Sequence, residues 1–522
     1  MKITLLVLSV ISASIIMTPS ALAADDKVIV GYYVPWGNVQ PSQLSYDKVT
    51  HINYGFGVLT KKDDPANIFI DPDYDGPAIS QLKTLARAKG VKVQISIGGW
   101  TGSQTFSLVA RDAALRQKFI NNALVFVRKN TKADGETPNG WDLDGIDIDW
   151  EYPARDGAIC NVKDASDTAN YLTLLKELRA ALDKEFPSEH KLITAAVRVQ
   201  PFDGPYGSPL NDVSAFIPYF DFINVMAYDI NGGWSATTGP NAPFDYDTKG
   251  GDPFSFRQSS KAWLDAKWPA SKLVMGLPFY GRSLTATVDM NSNPSNQYAP
   301  IQSTVPKGDP SDSNAPNAFC NEGSVYGGLW AWKYLRSEIL KNGYTSPIAG
   351  WNRYWDNTTQ TPWLFGASNK MYISYDDPQS LKIKADYSKQ QGFRGVMFWD
   401  MTNDSNDELL NAVQGVRQPG TTTTTTAVTS TATTTKPPVS TTVAGSSTAT
   451  ATKSSVSTTS NIPTTTPGTG VCAGVAAWTS SVAYNGSQKT TYNGHLWQAK
   501  WWTQNDTPGN NSQNVWTDLG AC

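Results

Sequence analysis

The stretch Asp144-Gly145-Ile146-Asp147-Ile148-Asp149-Trp150-Glu151-Tyr152-Pro153 carries the densest chemistry in the chain. Side chains of a strand alternate faces, so Asp147, Asp149 and Glu151 share one face and Ile146, Ile148 and Trp150 the other. Pro153 cannot continue a central ladder and marks the strand's end. Asp144 has the opposite parity and is expected to serve structure at the strand start. An apolar outer face suits packing against helices, which leaves the carboxylates pointing inward. Like charges this close raise at least one pKa and keep a carboxylic acid protonated near neutral pH. An ion-paired acidic strand is one alternative. A calcium or magnesium site is another, although a single strand face offers no flexible ligand loop.

Around this strand, short β-branched runs alternate with helical patterns. Strands are expected at Val28–Tyr33, Val49–Phe56, Val91–Ile97, Leu143–Trp150, Lys191–Val197, Phe222–Tyr228, Leu273–Leu277 and Gly395–Trp399. Helices are expected at Ile79–Lys89, Asp112–Lys129, Ser166–Phe186, Ser255–Trp268 and Gln379–Gln391. Eight apolar strands alternating with helices predict an α/β fold, a (β/α)8 TIM barrel. The carboxylates then rise toward the C-terminal mouth, where such barrels keep their active sites. Most surplus length falls between strands seven and eight. The insertion, residues 283–375, has its own helix candidate (Ala331–Leu340) and strand candidate (Met371–Tyr375).

Composition narrows the chemistry further. The 522 residues carry a formal net charge of −3, which gives no basic nucleic-acid surface. Three histidines and four separated cysteines offer no zinc motif, so no metal and no cofactor is expected. Eighteen tryptophans stand out, and flat aromatic faces suit sugars. Residues 1–23 combine Lys2, an apolar run and Ala21-Leu22-Ala23, which reads as a secretory signal. Residues 420–470 hold 22 Thr, 8 Ser and no aromatic, predicting a disordered linker suited to O-glycosylation. Residues 24–419 are therefore the barrel, and 471–522 a small separate module. So small a core usually needs a staple, and Cys472 with Cys522 would close nearly the whole module. Cys160 and Cys320 would remain for each other, but four cysteines allow three pairings.

Asp-Gly-Ile-Asp-Ile-Asp-Trp-Glu resembles the signature of family 18 glycoside hydrolases, the chitinases. Further family landmarks follow in order: Gly31-Tyr32-Tyr33, Ser96-Ile97-Gly98-Gly99-Trp100, Met226-Ala227-Tyr228-Asp229, Gly276-Leu277-Pro278-Phe279-Tyr280-Gly281-Arg282 and Gly395-Val396-Met397-Phe398-Trp399. The resemblance implies a secreted enzyme, acting as a monomer on chitin and chitin oligosaccharides, with no nucleic-acid or membrane partner. It implies Glu151 as general acid and later base. Asp149 would orient the substrate's acetamido group, Asp147 would share a proton with Asp149, and Tyr228 would bond the acetamido oxygen. Tyr32, Ser96 and Asp229 would support the carboxylates and the distorted sugar. Trp399 would floor the cleaved sugar's subsite, with Trp100 and Trp234 stacking on its neighbours. Tyr280 and Arg282 would line the cleft, or serve packing or an ion pair. The insertion resembles the α+β domain of deep-cleft family members.

In the tail, Tyr484-Asn485-Gly486, Tyr492-Asn493-Gly494 and Ala499-Lys500-Trp501-Trp502-Thr503 resemble the all-β chitin-binding module of carbohydrate-binding families 5 and 12. Adjacent Trp501 and Trp502 cannot share one strand face, so one of them would be exposed to stack on sugar. Trp478 and Trp497 are expected in the module's core. Two rivals remain from the residues alone. A silent sugar-binding protein on the same barrel would typically lack Glu151, and an endo-β-N-acetylglucosaminidase would have no use for a chitin-binding tail.

Overall fold

The computed structural model describes residues 27–130, 140–315, 319–320, 325–418, 472, 475–480, 483–484, 488–500, 503–504, 506–509 and 515–522. The expected secretory signal, the 420–470 linker and both Trp501 and Trp502 lie outside the described residues.

Strands buried on both faces need no polar alternation, and the apolar runs of the sequence form such a set. β1 (Val28–Tyr33), β2 (His51–Gly57), β3 (Lys92–Gly98), β4 (Gly145–Asp149), β5 (Leu192–Val197), β6 (Phe222–Val225) and β7 (Leu273–Pro278) are joined by Gly395–Trp399 in a closed parallel barrel. Between β7 and that last strand stands a five-stranded antiparallel sheet. It contains β8 (Tyr280–Thr285), β9 (Leu329–Ala331), β10 (Trp351–Asp356), β11 (Thr361–Gly366) and β12 (Met371–Ser374). The closing barrel strand is thus β13.

Parity divides the barrel core in two. Val93, Ile95, Ile97, Ile146, Ile148 and Trp150 pack outward against the helices. Trp150 stacks on Phe106 of α2 (Phe106–Arg111), with ring centroids 5.2 Å apart. Inside, Val28, Val30, Tyr32, Ala196, Phe222, Val274 and Met397 form a second cluster. The Asp144 carboxylate accepts the Val93 backbone N–H at 2.8 Å and faces Lys92, which is the structural role its parity implies.

Elements differ from expectation where local signals compete. α1 runs Pro72–Arg87, starting ahead of Ile79, because the Asp71 side chain caps the N–H groups of Asp73 and Tyr74. The expected helix at Ala331–Leu340 is a short α turn, Trp332–Tyr334, continued by a π turn over Leu335–Ile339.

The chain divides into two compact units, the second being Thr422–Cys522. In that unit Lys489–Tyr492, His495–Ala499 and Trp516–Ala521 form an antiparallel sheet. Tyr484, Ala499, Val515 and Trp516 are its core, and Trp478 and Trp497 pack against them, partly buried. The cysteines pair as Cys472–Cys522 and Cys160–Cys320.

Candidate active site

Asp147 and Asp149 lie on β4, in register with Ser96 and Gly98 of β3, and Asp147 also pairs with Thr194 of β5. The register decides the contacts. Asp147 is fully buried and accepts three hydroxyls: Tyr32 at 2.8 Å, Ser96 at 2.7 Å and Thr194 at 2.6 Å. Burial raises its pKa, and the hydroxyls oppose that rise. Gln94 donates to Thr194 at 2.7 Å and to Asn53 at 3.0 Å, extending a polar layer across the barrel.

Asp149 sits 3% exposed, and its Oδ1 has no hydrogen-bond partner among the described residues. Burial, then the charge of Glu151, then that of Asp147, push its pKa well above the ordinary carboxylate value. Among the described residues no hydrogen bond joins it to Asp147, whose oxygens are taken by the three hydroxyls. The two carboxyls are instead coupled through space. Gly98 of β3, at φ +119°, lets its backbone lie against β4, since a Cβ there would fall 2.0 Å from the Asp149 carbonyl oxygen. Glu151 is 8% exposed and its pKa is pushed up to about 7 by burial, with Tyr152 opposing and Asp229 adding to the rise. A carboxyl poised there can both give and take a proton near neutrality.

Tyr228 faces the same space. Burial first and Asp149 second raise its pKa, and its hydroxyl meets only the Met397 sulfur, at 3.8 Å, among the described residues. It is held as a neutral donor. Asp229 does not touch the carboxylates. Its Oδ1 accepts from Tyr280 Oη and Arg282 Nε, both at 2.6 Å, a hydrogen bond from the first and an ion pair with the second. Arg282 also lies over the Trp234 ring, 4.9 Å from its centroid. Trp399 stacks on Phe56 at 5.8 Å and leans on Tyr32, the partner of Asp147, at 5.5 Å. Trp100 and Trp234 are 47% and 57% exposed.

Residues 28–404 match the model of glycosyl hydrolases family 18. The chain belongs to that family. Residues 477–517 of this family 18 protein match carbohydrate-binding module family 5/12. It is similar to a chitinase-like effector of Moniliophthora roreri, 32% identical over 78% of this chain and 96% of the relative. Chitinase A1 of Niallia circulans is 32% identical over 80% of this chain and 62% of that protein. Among solved structures, a chitinase from Rhizomucor miehei is 34% identical with a TM-score of 0.65, covering 75% of this chain and 100% of that one. The Group IV chitinase of Ostrinia furnacalis, solved with allosamidin, is 26% identical with a TM-score of 0.60, over 75% and 98%.

The family motifs do not single out Thr194, Gln94, Asn53 or Asn224, which fill the layer around Asp147. Their signal in the family 18 sequence is a polar residue at inward parity in an otherwise apolar strand. No group of three His, Cys, Asp or Glu among the described residues is arranged for a metal ion. No described helix is long and apolar enough to cross a membrane.

Proposed function

We propose that this family 18 enzyme hydrolyses the β-1,4 bonds of chitin by substrate-assisted retaining catalysis. The observation that carries this reading is the run of Asp147, Asp149 and Glu151, with Asp149 buried and its Oδ1 without a partner among the described residues, beside an acid raised to about 7. Glu151 donates its proton to the glycosidic oxygen as that bond breaks. The acetamido carbonyl oxygen of the same sugar bonds the anomeric carbon and forms an oxazolinium ring. Asp149 faces the ring's N–H, and Tyr228 donates to the acetamido oxygen. Glu151, now a carboxylate, takes a proton from the water that opens the ring. The Tyr32–Ser96–Thr194 set fixes Asp147, whose charge acts on Asp149.

Export is supported by residues 1–23 and by two disulfides, which persist in oxidising compartments. The tail supplies a chitin anchor. A chitin-oligomer cleavage assay run beside a glycoprotein deglycosylation assay tests the substrate, and release of N-glycans without oligomer cleavage would overturn it. A silent chitin-binding protein is the second reading, favoured by similarity to a chitinase-like effector. Against it stands the complete carboxyl set, and the same oligomer assay separates the two.

Two outcomes are expected from the unmodified enzyme and its truncation. The acid must be protonated to act, so kcat/KM for soluble oligomers falls as pH rises through about 7, not through the usual glutamate range. An alkaline limb near pH 4.5 would contradict the environment assigned to Glu151. Removing residues 420–522 spares cleavage of soluble oligomers and lowers it on insoluble chitin, because the tether only raises concentration at the surface. Equal losses on both substrates would make the tail part of the catalytic unit.

A further inference from the structure

The backbone of Glu151 is clasped from outside the barrel. Loop Gly157–Val162 lies on it so closely that a Cβ at Gly157 would fall 1.8 Å from the Glu151 carbonyl oxygen. From that loop, the Asn161 carboxamide donates to the Glu151 carbonyl at 2.9 Å and to the Trp100 carbonyl at 3.2 Å. One side chain therefore bridges the residue assigned as acid and the exposed Trp100.

The bridge is anchored on both sides. Cys160, its neighbour, is disulfide-bonded to Cys320 of the segment between β8 and β9. Val162 N–H bonds the Gln104 carbonyl at 2.9 Å. The Gln104 side chain in turn donates to the carbonyls of Phe319 at 2.6 Å and Thr101 at 3.0 Å. Ser103 closes the inner side: its hydroxyl accepts Glu151 N–H at 3.2 Å and lies 2.8 Å from the Asp149 carbonyl, to which it donates. The loop bearing Trp100, the end of β4 and the insertion segment thus meet at Asn161.

We propose that Asn161 is a positioning residue for the hydrolytic reaction, fixing Glu151 relative to Trp100, and that the Cys160–Cys320 bond holds Asn161 in place. This rests on the reading of Glu151 as the acid. Catalysis is sensitive to small displacements, since a misplacement of about 1 Å can cost about a hundredfold in rate. The Asn161 carboxamide meets the Glu151 backbone carbonyl, not its carboxyl. It acts through that carbonyl on the residue assigned as acid.

The test uses the full chain and soluble N-acetylglucosamine oligomers, with kcat and KM measured across pH beside thermal melting. Asn161→Ala removes two donated bonds and lowers kcat about five- to tenfold, with KM held within about twofold. Asn161→Asp replaces the donor with an acceptor-only anion near the acid, and so moves the alkaline limb of the profile to higher pH. Adding Cys160→Ser and Cys320→Ser to Asn161→Ala brings no further loss, because residues acting as one unit are not additive. An active parent overturns the inference alone if Asn161→Ala keeps kcat while the melting temperature drops. It is equally overturned if the alkaline limb stays fixed in Asn161→Asp, or if the cysteine and asparagine losses add. If Asn161→Ala does not fold, the limb in Asn161→Asp decides. An inactive parent chain overturns the functional reading, and this inference with it.

Discussion

Glu151→Gln should bind chitin oligomers about as well as the parent and turn them over about 10²–10⁴-fold more slowly. The amide keeps the size and shape of the carboxyl but has no proton to transfer to a leaving oxygen. The environment of Glu151 makes the loss specific to chemistry. The side chain is 8% exposed, and its pKa is raised by burial, with Asp229 adding to the rise, so its protonated form persists where an ordinary glutamate would be ionised. Removing the carboxyl also relieves Asp149 of the Glu151 charge, the second cause of its raised pKa. Binding is therefore expected to survive or to tighten slightly. Steady-state kinetics beside calorimetric binding would check both halves. A variant within about tenfold of the parent rate would remove Glu151 from the role of acid.

Fully deacetylated polymer should be nearly inert, with a rate loss of the same order, and a thiazoline mimic of the cyclised intermediate should inhibit. The reason is geometric. Glu151 lies just beyond the end of β4, two residues after Asp149 and close enough for its charge to act on it, so both carboxyls would meet a bound sugar from one side. A protein nucleophile would have to approach the opposite face of the ring from the acid. Burial and two neighbouring carboxyls raise the Asp149 pKa, which weighs against a free anionic nucleophile there. The acetamido oxygen of the substrate meets both requirements. Efficient cleavage of fully deacetylated polymer, or a glycosyl ester trapped on Asp149, would replace this mechanism with an ordinary covalent one.

Legibility in the sequence followed burial. The runs Val28–Tyr33 and Gly395–Trp399 are strands over the same residues in the structure, because both faces are covered and nothing competes with the apolar pattern. β6 stops at Val225, short of Tyr228. There Met226 N–H still bonds Val197, but Ala227 N–H turns back to Val225, and Asp229 adopts φ 56°. That turn belongs to the site, and no periodicity announces it. In the insertion the hairpin of β10 and β11 is equally silent. Its aromatic residues, including Tyr354 and Trp363 at 4.3 Å, pack across strands where period-two alternation shows only scattered tryptophans.

The carboxyl face of β4 can be read from spacing alone, and Tyr32 and Ser96 from the motifs around it. Thr194 lies outside those motifs: its inward parity marks a polar residue in an apolar strand, and the register with Asp147 makes it a ligand of the carboxylate. Asn161 is hidden, since its role depends on two carbonyls from loops distant in sequence.

The most direct single measurement is the anomeric configuration of the first product, followed by proton NMR as soluble chitin oligomers are cleaved by the full chain. Attack by the substrate's own acetamido group, then by water on the opposite face, gives two inversions. The β-anomer should appear first and relax slowly to the equilibrium mixture. If the α-anomer appears first, water attacked directly, and substrate-assisted retention with Glu151 as acid and then base is wrong.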